Sequence, residues 1–241
     1  MIKAVVFDKD GTLVDLERFW YPVTKYATTM IFDEVGIPHS RIDSHMERLG
    51  MGRGGADIRG PLPRGDYGGM IDEIYRDMRE SGAEGDWNTA YRLMCIGYGR
   101  ESKLQGEVVP TIANIREMLE DLKSRGILIA LITADEINGA RICLERLGIS
   151  DLFDEIIAAD EEHPHKPDPY LMNSFIERRG LSKSEVIMVG DTETDILFAK
   201  NAGVFSVGVG RKEKNREYLA NIGADVIMLD VSGIPSLIDT L

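Results

Sequence analysis

Near the start of the chain an apolar run meets acid. The stretch "AVVFDKDGTLVD" places Asp8, Asp10 and Asp15 after Phe7. Three other places set polar chemistry beside an apolar run. "ILIALIT" ends in Thr133, "HPHKPDP" offers Lys166 ahead of a helical stretch, and "VIMVGD" ends in Gly190 and Asp191, followed by Thr192, Thr194 and Asp195. Taken singly, each has an ordinary role: an Asp after a strand caps the next helix, a Thr turns the chain, a Lys in a Pro-rich loop is solvated. Taken together they point elsewhere. Converging carboxylates repel, so a cluster of them implies a bound cation, and oxygen-only ligands suit Mg2+. Mg2+ with carboxylates, a lysine and a hydroxyl is phosphate chemistry. The metal and Lys166 neutralise phosphoryl oxygens, and Thr133 donates a hydrogen bond. A carboxylate can attack phosphorus and form an aspartyl-phosphate. A second can protonate the leaving group and then activate water. Asp8 and Asp10 are two apart and would share one side of a regular strand. Gly11 lets the chain turn sharply so that backbone N–H groups face an anion. The pair reads as a nucleophile and its acid/base.

The elements that must position these groups follow from periodicity. "IKAVVF", "ILIALIT", "DEIIAAD", "SEVIMVGD", "VFSVGVG" and "ADVIML" are short and apolar, as strands buried on both faces of a parallel sheet are. Between them lie helical stretches: "PTIANIREMLEDLKSRG", "NGARICLERLG", "PDPYLMNSFIERRG", "TDILFAKNAG" and "KNREYLANIG". In the first, Ile112, Ile115, Leu119 and Leu122 share one face and Gly126 closes it. Strands alternating with helices over short loops predict right-handed βαβ units, an α/β fold with a parallel sheet. Ligands of such sheets bind outside the carboxyl ends of the strands, where the acids, the Thr and the Lys fall. The stretch from about 16 to 107 breaks the rhythm. It predicts a helical second unit inserted into a core made of residues 1–15 and 108–241. Within it, residues 16–49 read as helical with Pro22 in a first turn, 50–69 as a Gly/Pro-rich loop carrying Arg53, Arg59 and Arg64, and 70–81 and 86–104 as two more helices.

Composition narrows the partners. With 41 acidic against 28 basic residues in 241, the formal charge is −13, which argues against a nucleic-acid or anionic-membrane partner. Cys95 and Cys143 form no CxxC pair, so neither a disulfide framework nor a thiolate zinc site is expected. The start lacks a signal peptide's apolar core, and no run has the length of a membrane span. A cytoplasmic protein is expected, a monomer or homodimer acting on a small molecule. His163 and His165 stand without a further Cys or His cluster and read as surface residues. Phe19, Trp20, Tyr21 and Tyr26 read as packing of the inserted unit.

In order, "FDKDGTLVD", "LITAD", "HKPDPY" and "VGDTETDI" make the sequence resemble the haloacid dehalogenase superfamily of phosphotransferases. The resemblance covers roughly 1–15 and 108–230. It implies a Rossmann-like parallel sheet with a mobile α-helical cap. It also implies Asp8 as nucleophile and Mg2+ ligand, and Asp10 as general acid/base with its backbone carbonyl on the metal. Thr133 and the backbone N–H of Ala134 would bind phosphate, and Lys166 would hold nucleophile and phosphate together. Asp191 would be a direct metal ligand, and Asp195 either a metal-side acid or one that supports the ligands from behind. Dehalogenases and phosphonatases of the superfamily lack a carboxylate at the position of Asp10, so its presence favours phosphate esters or anhydrides. The sequence is most similar to phosphoglycolate phosphatase-like hydrolases with a helical cap. Two residues depart from the common pattern: Ala134, where Asn, Ser or Gly is frequent, and His165, where Gly is.

The expected function is therefore Mg2+-dependent hydrolysis of a small phosphorylated metabolite, phosphoglycolate-like first, then pyrophosphate or a sugar phosphate. The Gly-rich loop reads equally as a flexible solvated segment or as a substrate-specificity loop in which Arg53, Arg59 or Arg64 meets an anionic group of the substrate. The alternative is a phosphomutase of the beta-phosphoglucomutase type. Thr12 leans against it, because Val is frequent there in mutases. A receiver-type signalling module shares the acidic pair, Thr and Lys, but not the inserted unit or "GDTETD".

Overall fold

A computed structural model of the chain describes residues 1–158 and 162–241. The chain divides into two compact units, one of Met1–Asp15 with Val108–Leu241 and one of Leu16–Glu107.

The first strand, β1 (Ala4–Phe7), opens the first unit. The second unit follows: α1 (Leu16–Val35), α2 (Ile42–Arg48), the short antiparallel strands β2 (Met51–Gly52) and β3 (Gly55–Ala56), α3 (Tyr67–Ser81), α4 (Trp87–Gly97) and α5 (Arg100–Lys103). The chain then returns through α6 (Ile115–Ser124), β4 (Leu128–Thr133), α7 (Ile137–Arg146), β5 (Glu155–Ala158), α8 (Tyr170–Arg179), β6 (Val186–Gly190), α9 (Glu193–Ala202), β7 (Phe205–Val209), α10 (Glu213–Ile222), β8 (Val226–Met228) and α11 (Ile234–Ile238).

Among the described residues, six parallel strands form one sheet in the order β5-β4-β1-β6-β7-β8. The order runs outward in both directions from β1, so the switch point of this Rossmann-like sheet lies at its centre. Alternation within the strands splits the core in two. Val5, Phe7, Ile129, Leu131, Ile187 and Val189 pack with residues of α6, α7 and α11. Ala4, Val6, Ala130, Ile132, Val186 and Met188 pack with residues of α8 and α9. Strands covered on both faces must be apolar throughout, which is why they read as unbroken runs.

Four local expectations are corrected. Pro22 lies inside α1, not in its first turn. Proline has no N–H for the carbonyl of Arg18, and that carbonyl instead accepts the N–H of Glu107. The helix expected from Pro110 starts at Ile115, because Val14 bridges Pro110 and the Thr111 N–H donates to the Leu13 carbonyl. The stretch 86–104 is two helices, broken after Gly97. The Gly-rich loop contains the β2–β3 pair, and its following helix starts at Tyr67 behind an Asp66 cap that accepts the Gly69 N–H. The strand expected over 154–160 is seen as Glu155–Ala158; its last two residues lie outside the described ones.

The second unit has its own apolar core and a charged centre. Asp77 is buried, accepts from His45 at 2.6 Å and Arg41 at 3.0 Å, and also pairs with Arg48. Glu73 and Glu80 take further bonds from Arg48 and Arg41. Burial pushes the Asp77 carboxyl up, but His45, Arg41 and Arg48 outweigh it and hold it below its ordinary 3.8. A carboxylate held low stabilises the fold above its unfolded pKa and loses that contribution as the pH falls through the folded value. Asp77→Asn should cost about 3–5 kcal/mol at pH 7, the penalty for stranding buried charge. The gap to wild type should narrow as the pH falls below about 4. Urea unfolding across that range measures both, and a gap independent of pH would refute the charge assignment.

Candidate active site

The register of the sheet assembles the site. Phe7 lies opposite Leu131 of β4 and Val189 of β6. The ladder continues one step, with the Asp8 N–H on the Val189 carbonyl at 2.9 Å. Asp8 therefore emerges at the carboxyl end of the central strand, with Thr133 ending β4 on one side and Asp191 following β6 on the other. Thr133 and Asp191 lie more than a hundred residues from Asp8 in the chain, and the sheet brings them together.

Lys166 binds the acids into one group. Its Nζ donates to Asp8 Oδ1 and to Asp195 Oδ1, each at 2.6 Å. Asp195 has a second task. Its Oδ2 accepts from the Thr192 N–H at 3.1 Å and the Thr192 hydroxyl at 2.8 Å, closing the first turn of α9. The capping role expected of a lone Asp and a place in the cluster are thus held by one side chain. Carboxylate oxygens of Asp8, Asp191 and Asp195 all lie within 4.8 Å of one another, and all three residues are buried. Thr12 donates to Asp191 Oδ1 at a long 3.5 Å.

Burial dominates the electrostatics. It pushes the Asp8 carboxyl up to about 7, with Lys166 pulling down and Asp195 and Asp10 adding to the rise. Asp191 is pushed well above the carboxylate range by burial, then by Asp8, Asp195 and Asp10. Burial alone would lower Lys166, but Asp195 and Asp8 outweigh it and hold the ammonium above its ordinary value. Three crowded, buried acids, with Asp8 and Asp191 raised by burial and by their acid neighbours, are a donor set that gains from a divalent cation, and all-oxygen donors fit Mg2+.

Of the nine residues singled out in the sequence, Asp8, Lys166, Asp191 and Asp195 meet directly. Thr133 is buried beside them, and its hydroxyl accepts the Asp135 N–H at 3.1 Å, so its own proton can be donated elsewhere. Ala134 follows it, half-buried. The Asp10 carboxylate is outside the three-acid group and pairs at 3.0 Å with Lys9. In the second unit Arg53 pairs with Asp43 at 2.6 Å and Arg59 with Asp57 at 2.7 Å. Arg53 also lines a cleft of about 490 Å3 with Glu17, Arg18 and Tyr21.

Sequence reasoning missed Lys9 and Asp135. Lys9 is fully buried, and its Nζ lies 2.8 Å from Asp135 Oδ2. Burial would lower this ammonium, but Asp10 and Asp135 hold it above its ordinary value. The signal was a lysine inside the apolar-to-acid junction "VVFDKDG" and an acid two residues after Thr133.

Gly11 permits the closest approach. Its φ is +84°, and a Cβ there would stand 2.0 Å from Asp191 Oδ2. Mg2+ should raise the melting temperature of the wild type, and Gly11→Ala, by displacing Asp191, should abolish that rise; an undiminished rise in the variant would refute the fit. A second test follows from Asp8. A carboxyl raised in the fold is bound to its proton longer than in the unfolded chain, so stability falls as pH rises from about 4 through about 7. In EDTA, Asp8→Asn should gain melting temperature over wild type across that range, and excess Mg2+ should shrink the gain. A constant difference would remove the electrostatic account.

Similarity to known proteins agrees with this geometry. A family model described as haloacid dehalogenase-like hydrolase matches residues 2–203. The chain is 28% identical over 230 residues to a phosphoglycolate phosphatase of Vibrio cholerae, spanning 95% of this chain and 94% of that one. It is 30% identical over 209 residues to a Clostridium perfringens protein named as a candidate pyrophosphatase, spanning 87% and 84%. The crystal structure of a candidate phosphoglycolate phosphatase from Haemophilus somnus superposes with a TM-score of 0.73 at 21% identity, covering 98% of each chain. With a family model matched over most of its length, the chain belongs to the haloacid dehalogenase-like hydrolases.

Proposed function

We propose that this hydrolase is a Mg2+-dependent phosphatase of a small phosphorylated metabolite, working in the cytoplasm through an aspartyl-phosphate on Asp8. The observation that carries the reading is the Lys166 ammonium bridging Asp8 and Asp195 beside Asp191, at the carboxyl end of the central strands. An ammonium already seated on the nucleophile is placed to meet the phosphoryl group that the nucleophile attacks. Asp8, Asp191 and Asp195, with the Asp10 backbone carbonyl, would hold Mg2+, which supplies charge neutralisation at the phosphoryl oxygens.

In the first step an Asp8 carboxylate oxygen bonds to phosphorus while the ester oxygen leaves, taking a proton from the Asp10 carboxyl. In the second, water attacks the same phosphorus, gives its proton to Asp10, and releases phosphate from Asp8. The Thr133 hydroxyl and the Ala134 N–H bind the phosphoryl oxygens. The unit of residues 16–107 serves as the cap that selects the substrate, with Arg53 and Arg59 as contacts for its second anionic group. Relatives named phosphoglycolate phosphatase and pyrophosphatase support phosphoglycolate first and pyrophosphate next.

The test is phosphate release from p-nitrophenyl phosphate, phosphoglycolate, pyrophosphate and sugar phosphates, with Mg2+ and with EDTA. Release should need Mg2+ and fall at least about a thousandfold in Asp8→Asn. Arg53→Ala or Arg59→Ala should raise KM for the preferred substrate and leave p-nitrophenyl phosphate unaffected. No release by folded, metal-loaded protein would overturn the phosphatase reading, and turnover dependent on a sugar bisphosphate would replace it with a phosphomutase.

A further inference from the structure

Lys9 is the sharpest anomaly in the core unit. Its side chain is wholly buried between the two catalytic-side loops. Its Nζ stands 3.0 Å from Asp10 Oδ2, 2.8 Å from Asp135 Oδ2 and 3.8 Å from the Cys143 sulfur. Asp135 is itself fixed to the loop after β4: its N–H donates to the Thr133 hydroxyl at 3.1 Å, and its Oδ1 accepts the Glu136 N–H at 2.9 Å. A continuous path of ion pairs and hydrogen bonds thus runs Asp10–Lys9–Asp135–Thr133, from the turn after β1 to the end of β4.

Burying a lysine carries a desolvation penalty, and an apolar side chain of that volume would fill the same space without it. What an ammonium adds is a directed hold on a carboxylate. Lys9 Nζ, 3.0 Å from Asp10 Oδ2, supplies such a hold.

We infer that Lys9, anchored by Asp135, is a positioning residue that sets the Asp10 carboxyl relative to the Thr133 loop for proton transfer to and from the phosphorylated centre. This rests on the phosphatase reading for its chemical consequence, but not for its geometric one. In the transfer, Asp10 gives its proton to the departing ester oxygen; Lys9 gives up none and forms no new bond.

The experiment uses Lys9→Met, which keeps chain length and removes the charge, with Asp135→Asn as a milder second variant. Two quantities are read: the crystallographic position of the Asp10 carboxyl, and first-turnover release of alcohol from p-nitrophenyl phosphate and from an alkyl phosphate, both with Mg2+. A nitrophenolate leaves without help from an acid, whereas an alkoxide needs the Asp10 proton. The expected result is a displaced Asp10 carboxyl in Lys9→Met. It comes with a loss in first-turnover rate about tenfold to a hundredfold larger for the alkyl ester than for the nitrophenyl ester, at unchanged substrate affinity. Asp135→Asn should change both in the same direction by less. An unmoved Asp10 carboxyl, or equal losses on both esters, would overturn the inference and leave Lys9 a packing element. If Lys9→Met does not fold, Asp135→Asn decides by the same two readings. If the wild type releases no phosphate, the phosphatase reading fails separately, and the Asp10 position alone decides for or against the hold.

Discussion

Everything in the core unit answers to one electrostatic difficulty: several carboxylates are buried together, and they repel. Lys166 relieves part of it by bonding to Asp8 and Asp195 at once. It does not relieve all: a residue of repulsion is left, and burial first, then the acid neighbours, keep the Asp8 and Asp191 carboxyls raised. A folded chain can tolerate that residue only if the surrounding structure is firm enough to hold the acids against each other. Here the firmness comes from strands whose side chains are buried on both faces, and from β1 at the centre, paired on each edge. Stability is concentrated where the site needs it, and a divalent cation would turn the stored repulsion into affinity.

Close approach is the second half of the same constraint. Asp191 can lie where it does because Gly11 has no Cβ, and Asp195 because Gly190 has none; a Cβ on Gly190 would stand 2.2 Å from that of Asp195. The acids are thus packed against backbone, which is rigid, and not against side chains that could yield. The same economy recurs in the second unit, where Asp77 is surrounded by His45, Arg41 and Arg48 and its charge is answered locally. There the cations match the acid and the carboxyl is held low. At the core site the acids outnumber their ammonium, and Asp8 and Asp191 are held high. That contrast separates a structural ion cluster from one built to bind.

Much of this was legible in residue order. Each sheet strand reads as a run of β-branched and apolar residues because burial on both faces allows nothing else, and each run's first polar residue marks a strand end. Asp8, Thr133 and Asp191 were found that way. Contacts made by long side chains were not legible. Lys9 sits between two acids in sequence and looks like a solvated charge; its pairing with Asp135 depends on β4 lying beside β1, which is a property of the sheet order. Pro22 is a similar case. Its place inside α1 is possible because a distant N–H, that of Glu107, takes the carbonyl the proline leaves unsatisfied. Local propensity cannot report a partner supplied from the far end of an insertion.

That far end explains how the core admits an insertion of such length directly behind its acid pair. The two crossings lie side by side and are bonded to each other. The Asp15 N–H donates to the Val109 carbonyl at 2.8 Å, and Val14 bridges Pro110. On the second unit's side, the Glu107 N–H reaches the Arg18 carbonyl, and the Arg18 guanidinium pairs with the Glu107 carboxylate at 2.7 Å. To the core, the insertion is therefore equivalent to a closed hairpin between Asp15 and Val108. Loop-closure entropy grows slowly with length, and here the ends are pinned whatever lies between them. The interior of residues 16–107 can change its helices, its loop arginines and its cleft without moving the turn that carries Asp8 and Asp10. The turn that carries the acid pair and the inserted unit are in this way separated by a few backbone hydrogen bonds.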